Sequence, residues 1–321
     1  MTATKNTQVF GTDAAGIKGA AAVLRAGGLV AFPTETVYGL GADACDGRAV
    51  AGVYAAKGRP TFNPLIAHVA DLNQALALAE FDDRARALAT AFWPGPLTMV
   101  LPRKPGSGLS DLVTAGLDTV ALRVPSHPVA QALLVAFGGP VAAPSANPSG
   151  RVSPTRADHV LAGLSGHIDG VVDGGACAVG VESTIIGLSD TPTLLRPGGV
   201  PVEAIEACLG APLSRDTTPQ KVQAPGQLAS HYAPQAMVRL NRDTRDPAAL
   251  WLGFGPACAG AERNLSPAGD LHEAAANLFT YLRDMDELAA QGQIIDIAPI
   301  PAHGLGLAIN DRLARAAAPR R

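Results

Sequence analysis

This chain of 321 residues is short of cysteines, aromatics and charges, and each shortage removes a class of function. Its four cysteines, Cys45, Cys177, Cys208 and Cys258, lie far apart and form no CxxC pair. That spacing excludes a zinc ribbon or a disulfide framework and fits free thiols in a reducing compartment. No apolar run is long enough to cross a bilayer, since the candidate at 132–143 is broken by Gly138, Gly139 and Pro140. The opening residues, MTATKNTQVF, lack the basic-then-apolar pattern of a secretory signal. A soluble cytoplasmic protein with no membrane partner is expected. Aromatics make up 4% and the net charge is −3, so neither stacking platforms nor an overall basic field draws the chain to nucleic acid. GxxxxGK[ST], GxSxG, HExxH and the kinase signatures are also missing, so any nucleotide must be held without a P-loop.

Turn chemistry is what the chain has in abundance. With 35 Gly, 26 Pro and 47% hydrophobic residues, it reads as a substantial core cut into short elements. Helical spacing over 17–26 stops at Gly27-Gly28 and gives way to the strand-like LVAF. Asp46 is placed to cap a helix that runs through Ala56. PLIAHV, LTMVL, TVALRV, VAAP, DGVVD, STIIGL and TLLR have strand length between breakers. Helices are expected at 72–78, 83–92, 129–137, 157–164 and 202–209. The alternation predicts an α/β domain over residues 8–210 with a large twisted mixed sheet and flanking helices. Residues 211–235 lose periodicity and read as a linker. In residues 236–321, MVRL, ALWLGF and QIIDIA as strands, with helices at 271–290 and 305–317, predict a smaller, Rossmann-like α/β domain.

Two stretches carry chemistry: KGRPxxN (Lys57, Gly58, Arg59, Pro60, Asn63) and PSANPSGRVSPT, residues 144–155. Neither has an apolar period, so neither is core. Lys57 and Arg59 diverge on a continuing helix but converge if the chain turns at Gly58. Ser145, Asn147 and Ser149, then Ser153 and Thr155 ahead of a helix, suit phosphate binding. GVEST and LLRPG add Ser183 and Arg196. PTETVYGLGADA after LVAF is either a ligand loop at a strand end or a capped turn that starts a helix. His68 is either a pocket residue or a satisfied core histidine. Arg123 shares a strand face with Thr119 and Ala121 and needs an anion: Glu35, Glu182 or a substrate carboxylate. WPGPLT reads as a rigid corner anchored by Trp93. Together the polar loops predict two walls of one anion-binding pocket.

From about Ala15 to the end, PTETVYGLGADA, KGRPxxNPL, WPGPLT, RVP, PSANPSGRVSPT, GVEST, LRPG, HYAP and AINDRLARAA come in an order that resembles the threonylcarbamoyl-adenylate synthase family. The first domain is similar to the YrdC domain, and the whole chain to the long, two-domain form. The resemblance implies formation of threonylcarbamoyl-AMP and pyrophosphate from L-threonine, bicarbonate and ATP with Mg²⁺. A downstream tRNA threonylcarbamoyl transferase complex would consume the product to modify the adenosine beside the anticodon, which makes tRNA an indirect partner and leaves direct binding open. By the same resemblance, Lys57 and Arg59 are catalytic and, with Asn63, Thr119, Ser145, Asn147, Ser153, Arg196 and Tyr232, touch ATP. Thr36, His68, Arg123, Ala143 and Ser183 would hold threonine, and the linker with Tyr232 would act as a lid. No metal ligand is implied. A nucleic-acid module, a regulatory binder that makes no adenylate and a carbamoyl-transferring maturation factor that shares the YrdC domain are the rivals. The last resembles longer chains with zinc-ligand cysteines, which this sequence lacks.

Overall fold

The computed structural model describes residues 4–215 and 232–319. The expected lid, including His231, therefore lies largely outside the described residues. Ten strands form the first sheet: β1 (Gln8–Phe10), β2 (Val30–Phe32), β3 (Gly39–Asp43), β4 (Ile66–His68), β5 (Leu97–Pro102), β6 (Thr119–Arg123), β7 (Val141–Ala142), β8 (Gly170–Val172), β9 (Thr184–Gly187) and β10 (Thr193–Arg196). Their order is β1-β8-β2-β3-β7-β4-β6-β5-β9-β10, with parallel and antiparallel neighbours mixed. Eight helices flank it: α1 (Ala14–Arg25), α2 (Gly47–Lys57), α3 (Leu72–Leu78), α4 (Asp83–Phe92), α5 (Asp111–Thr114), α6 (Pro128–Phe137), α7 (Ala157–Leu164) and α8 (Val202–Leu209). Asp13, Asp46, Asp71 and Asp82 each accept a first-turn N–H, which fixes where α1 to α4 begin.

Strand alternation assigns the two faces. Ala31 of β2 and Leu40 of β3 point into a core that buries α2, α3, α4, α7 and α8. Val30 and Phe32 point the other way, into α1 and α6. Register carries that second face across the sheet, from Phe32 opposite Gly39, through Val141 opposite His68, to Arg123 beside His68. There α1 and α6 no longer cover it, and the face carries His68, Arg123 and a small apolar cluster around Ile66 and Ala121.

PTETVYGLGADA departs from the reading of a capped turn that starts a helix. Its first half is a turn, but no helix follows: residues 39–43 form β3, buried in the sheet. The strand itself, GLGAD, is hidden because the residues that would normally advertise one, β-branched and aromatic, are absent from positions 39–43.

A second sheet, β11 (Met237–Arg239), β12 (Leu250–Gly253), β13 (Arg263–Asn264) and β14 (Ile294–Ile297), is wholly parallel in the order β11-β14-β12-β13. Helices α9 (Leu271–Leu288) and α10 (Leu305–Ala317) pack beside it, α9 ending two residues before the expected boundary. This unit shares a core with Val37, Val152 and Val181 of the first.

Gly180 sits at that junction with φ +75°, and a Cβ there would meet the backbone of Ala275 and Ala276 at 2.4 Å. Neither α9 nor the 180–183 loop can yield, because both obstructing atoms are main chain. Gly180→Ala should destabilise the protein by about 2–4 kcal/mol from overpacking plus left-handed strain. Chemical denaturation of the variant checks this, and a change under about 0.5 kcal/mol would show the junction to be loose.

Candidate active site

On the uncovered stretch of the first sheet a partly open cleft encloses about 530 Å³, its open mouth included. Thr36, His68, Arg123, Ala143 and Ser183 line it, as do Arg59, Ser145, Arg196 and Tyr232. Residues from strands β4, β6 and β10 and from five connecting segments thus meet in one hollow.

At one end, Arg123 emerges from the end of β6 almost completely buried. Its Nη2 lies 2.7 Å from Oε1 of Glu35, bent away from ideal hydrogen-bond geometry. Nη1 donates to Thr36 Oγ1 at 2.9 Å and Nε to the Gly95 carbonyl at 3.3 Å. Of the three anions open to Arg123, Glu35 is therefore the one in contact. Burial, the largest influence, raises the Glu35 pKa, but the Arg123 side chain together with backbone N–H donors such as that of Ser126 holds the carboxyl below its usual range. Thr34 turns inward to bond Val37 O and Thr36 Oγ1, so the 34–37 segment is both a self-satisfied turn and a cleft wall. Beside Arg123, His68 packs edge-on to Phe32, with Nδ1 3.3 Å from the Ile66 carbonyl. Burial, and then the Arg123 charge, push its pKa down to about 3, so the ring is neutral. Ser183 Oγ lies 2.7 Å from Thr98 Oγ1, and Arg196 Nη2 donates to the Ser183 carbonyl at 2.9 Å.

At the other end, α2 stops where Gly58 takes a left-handed conformation, φ 59°. The turn folds Lys57 and Arg59 inward instead of letting them diverge. Lys57 Nζ donates to the carbonyls of Ser145 (2.6 Å) and Asn147, which joins the two signature loops directly. Burial, and then Arg59, press its pKa well below the usual lysine value. Arg59 donates to the carbonyls of Asn63 and Pro64, and burial lowers its pKa to about 10.

Not every expected residue lines the cleft. Lys57, Asn63 and Asn147 stand behind its wall, the two asparagines each with a buried Oδ1 that has no protein partner. Ser153 is turned toward Glu182, donating at 2.6 Å. Thr119 sits at the far end of β6 from Arg123, opposite Pro102, and does not reach the hollow.

Sequence reasoning missed Arg312. This side chain of α10 is fully buried, donates from Nε to Glu182 Oε2 at 2.9 Å and from Nη1 to Pro197 O at 2.7 Å, and stands 5.6 Å from the Tyr232 ring centroid. Burial would raise the Glu182 pKa, yet Arg312 and then Arg196 hold it well below the carboxylate range. A signal was present in the sequence: Arg312 falls on the same helical stripe as Leu305, Ala308, Ile309 and Ala316, a charge where the pattern wants an apolar residue. Altogether Lys57, Arg59, Arg123, Arg196 and Arg312 are buried around two carboxylates, Glu35 and Glu182, an imbalance that an anionic ligand would relieve. Among the described residues no group of three His, Cys, Asp or Glu side chains could cage a metal ion. None of the described helices is long and apolar enough to cross a membrane.

Neutral His68 makes stability depend on pH in one direction. Its folded pKa of about 3 lies below the ordinary 6.5, so the unfolded chain takes up the proton first. The contribution is complete above pH 6.5 and is lost as pH falls from there toward 3, at up to about 1.4 kcal/mol per unit. Urea unfolding at pH 7 and pH 5 should therefore give a smaller acid loss for His68→Asn than for wild type. Equal losses would rule His68 out as the source. Arg312→Ala, which strands Glu182, should cost about 3–5 kcal/mol in the same assay at pH 7.

Comparison with known proteins agrees with this geometry. A family model described as "Telomere recombination", built on the Sua5, YciO and YrdC proteins, matches residues 22–198. A second, "Threonylcarbamoyl-AMP synthase, C-terminal domain", matches residues 200–318. The chain is 42% identical to threonylcarbamoyl-AMP synthase of Bacillus subtilis, covering 98% of this chain and 96% of the relative. It is 39% identical to the Schizosaccharomyces pombe protein of that name, covering 90% of this chain and 84% of the relative. A crystal structure of Pyrococcus abyssi Sua5 complexed with L-threonine superposes with a TM-score of 0.89 at 40% identity, covering 97% of this chain and 98% of that one. With both models matched end to end and relatives aligned over most of their length, this chain belongs to the threonylcarbamoyl-AMP synthase family.

Proposed function

We infer that the cleft binds L-threonine beside MgATP and joins them through a carbamate. The family's activity is the formation of threonylcarbamoyl-AMP and pyrophosphate from L-threonine, bicarbonate and ATP, for threonylcarbamoyladenosine modification of tRNA. One observation carries the reading of the site. Lys57, from the first loop, bonds the backbone of the second, and both loops open onto the cleft that holds Arg123, His68 and Ser183.

Threonine occupies the Arg123 end. A guanidinium has five N–H groups; Thr36 and Gly95 take two, Glu35 lies against Nη2 as an ion pair, and the N–H groups left over suit a carboxylate. Glu35 fixes the plane of that fork before the substrate arrives. With its proton on Nδ1, facing the Ile66 carbonyl, His68 keeps Nε2 as an acceptor for a substrate ammonium or hydroxyl. Ser183 and the Ala143 backbone complete this subsite. ATP takes the other end, with phosphates toward Lys57, Arg59 and Ser145 and with Arg196, Tyr232, Asn63, Asn147, Ser153 and Thr119 as the nucleotide set. Mg²⁺ enters on the phosphate oxygens as part of that substrate, which needs no protein cage.

The threonine amine adds carbon dioxide and loses a proton to become a carbamate, whose oxygen attacks the α-phosphorus. The P–O bond to the β-phosphate breaks and its electron pair leaves on pyrophosphate. No covalent enzyme intermediate is required: positioning, buried cations and exclusion of water suffice. A phosphate at the 145–147 turn would also give Lys57 the counter-charge that its burial lacks. The reaction suits a cytoplasmic location, and the labile product calls for a downstream transferase that consumes it.

Incubation of the purified protein with ATP, bicarbonate and labelled threonine should yield labelled threonylcarbamoyl-AMP. Arg59→Ala should lower ATP–pyrophosphate exchange by a hundredfold or more, about 3 kcal/mol of transition-state stabilisation, with the fold intact. Wild-type exchange in that variant would refute the assignment.

A further inference from the structure

Tyr232 lines the cleft in a backbone conformation that a non-glycine residue rarely holds unaided, φ 60°. Such a conformation persists only where its surroundings over-determine it. Three contacts in the described structure do so, and they come largely from one stripe of α9. Phe279 stacks on the Tyr232 ring at 5.4 Å and 27°. Four residues on, Arg283 donates to the Val152 carbonyl, on the loop that carries Ser153. Three further on, Asp286 accepts the backbone N–H of Gln235 on one carboxylate oxygen and that of Ala236 on the other, both at 2.8 Å. Between these points, Ala233 N–H donates to the Gly150 carbonyl at 3.0 Å. The spacing of 279, 283 and 286 puts all three side chains on one face of the helix.

We propose that Asp286 is a positioning residue for the nucleotide subsite: by gripping two consecutive amides just after Tyr232, it fixes where that ring stands in the cleft. Apart from the charge it presents to Arg283 one turn earlier, the two amides are what the Asp286 carboxylate meets among the described residues. It caps no helix, and its paired oxygens match the two N–H groups one for one. The proposal rests on the reading that Tyr232 contacts ATP. Asp286 itself touches no substrate, and its effect must pass through the ring.

That route gives the test its shape. Asp286→Asn keeps the size of the side chain but turns one acceptor into a donor that faces an N–H. D286N should raise KM for ATP about tenfold, the worth of a charge-assisted backbone hydrogen bond, and leave KM for threonine within about twofold. Direct ATP binding without turnover should weaken by the same factor. In a Tyr232→Ala background D286N should add less than about twofold, because the ring it positions is gone. D286A should behave like D286N in both backgrounds. An unchanged KM for ATP, an equal rise for both substrates, or effects that multiply in the double variant would each overturn the proposal. If wild type makes no threonylcarbamoyl-AMP, the functional reading itself fails; an active D286N enzyme with wild-type ATP affinity removes only the role of Asp286.

Discussion

The ion pair between Glu182 and Arg312 holds this molecule's two halves in register. Both side chains are buried and they meet at 2.9 Å, Glu182 from the loop that leads into β9 and Arg312 from α10. Taking either charge out of water alone would cost several kcal/mol, so each needs a partner: Glu182 has Arg312, and Arg312 has Glu182 and also Asp311 at 2.9 Å. The pair is reinforced at both ends: Ser153 donates to the free oxygen of Glu182, and Pro197 supplies a carbonyl to Arg312. Ser183, Arg196 and Tyr232, which form one wall of the cleft, all sit within the reach of this knot. The smaller domain thus contributes to the cleft through a charge as well as through packing.

The same economy of charge runs through the rest of the site. Glu35 is committed to Arg123 and Glu182 to Arg312, so neither carboxylate is left to repel an incoming phosphate or carboxylate. His68 stays uncharged because burial disfavours its protonated form and the neighbouring Arg123 charge adds to that. What remains is a hollow whose surplus is positive and buried, where electrostatic interactions are weakly screened by water. This is an environment for holding anions still during group transfer, and it contains no side chain arranged as a covalent nucleophile.

Much of this was legible from residue order, and the failures have physical causes. Helix limits at Leu72–Leu78 and Asp83–Phe92 follow from Asp caps and apolar spacing, and those at Leu305–Ala317 from apolar spacing alone, signals that act within a turn. The convergence of Lys57 and Arg59 follows from one residue, Gly58, able to turn left-handed. By contrast β1, β3 and β13 are short or Gly-rich strands whose existence depends on neighbours far away in sequence. Thr119 shares the face of Arg123 by alternation, but alternation says nothing of distance along the strand. Tyr232 could be marked as important, whereas Asp286 could not, because nothing in an exposed-looking helix announces that a loop will return to it.

Glu182 and Arg312 are separated by 130 positions in the chain. During synthesis the larger sheet can collapse while its carboxylate still waits for a partner that has yet to be made. Until α10 docks, that half of the protein carries an electrostatic debt that solvent must cover by keeping the 180–183 loop wet. Maturation of the cleft is therefore a late event, tied to domain docking and not to formation of the sheet on which the cleft is built.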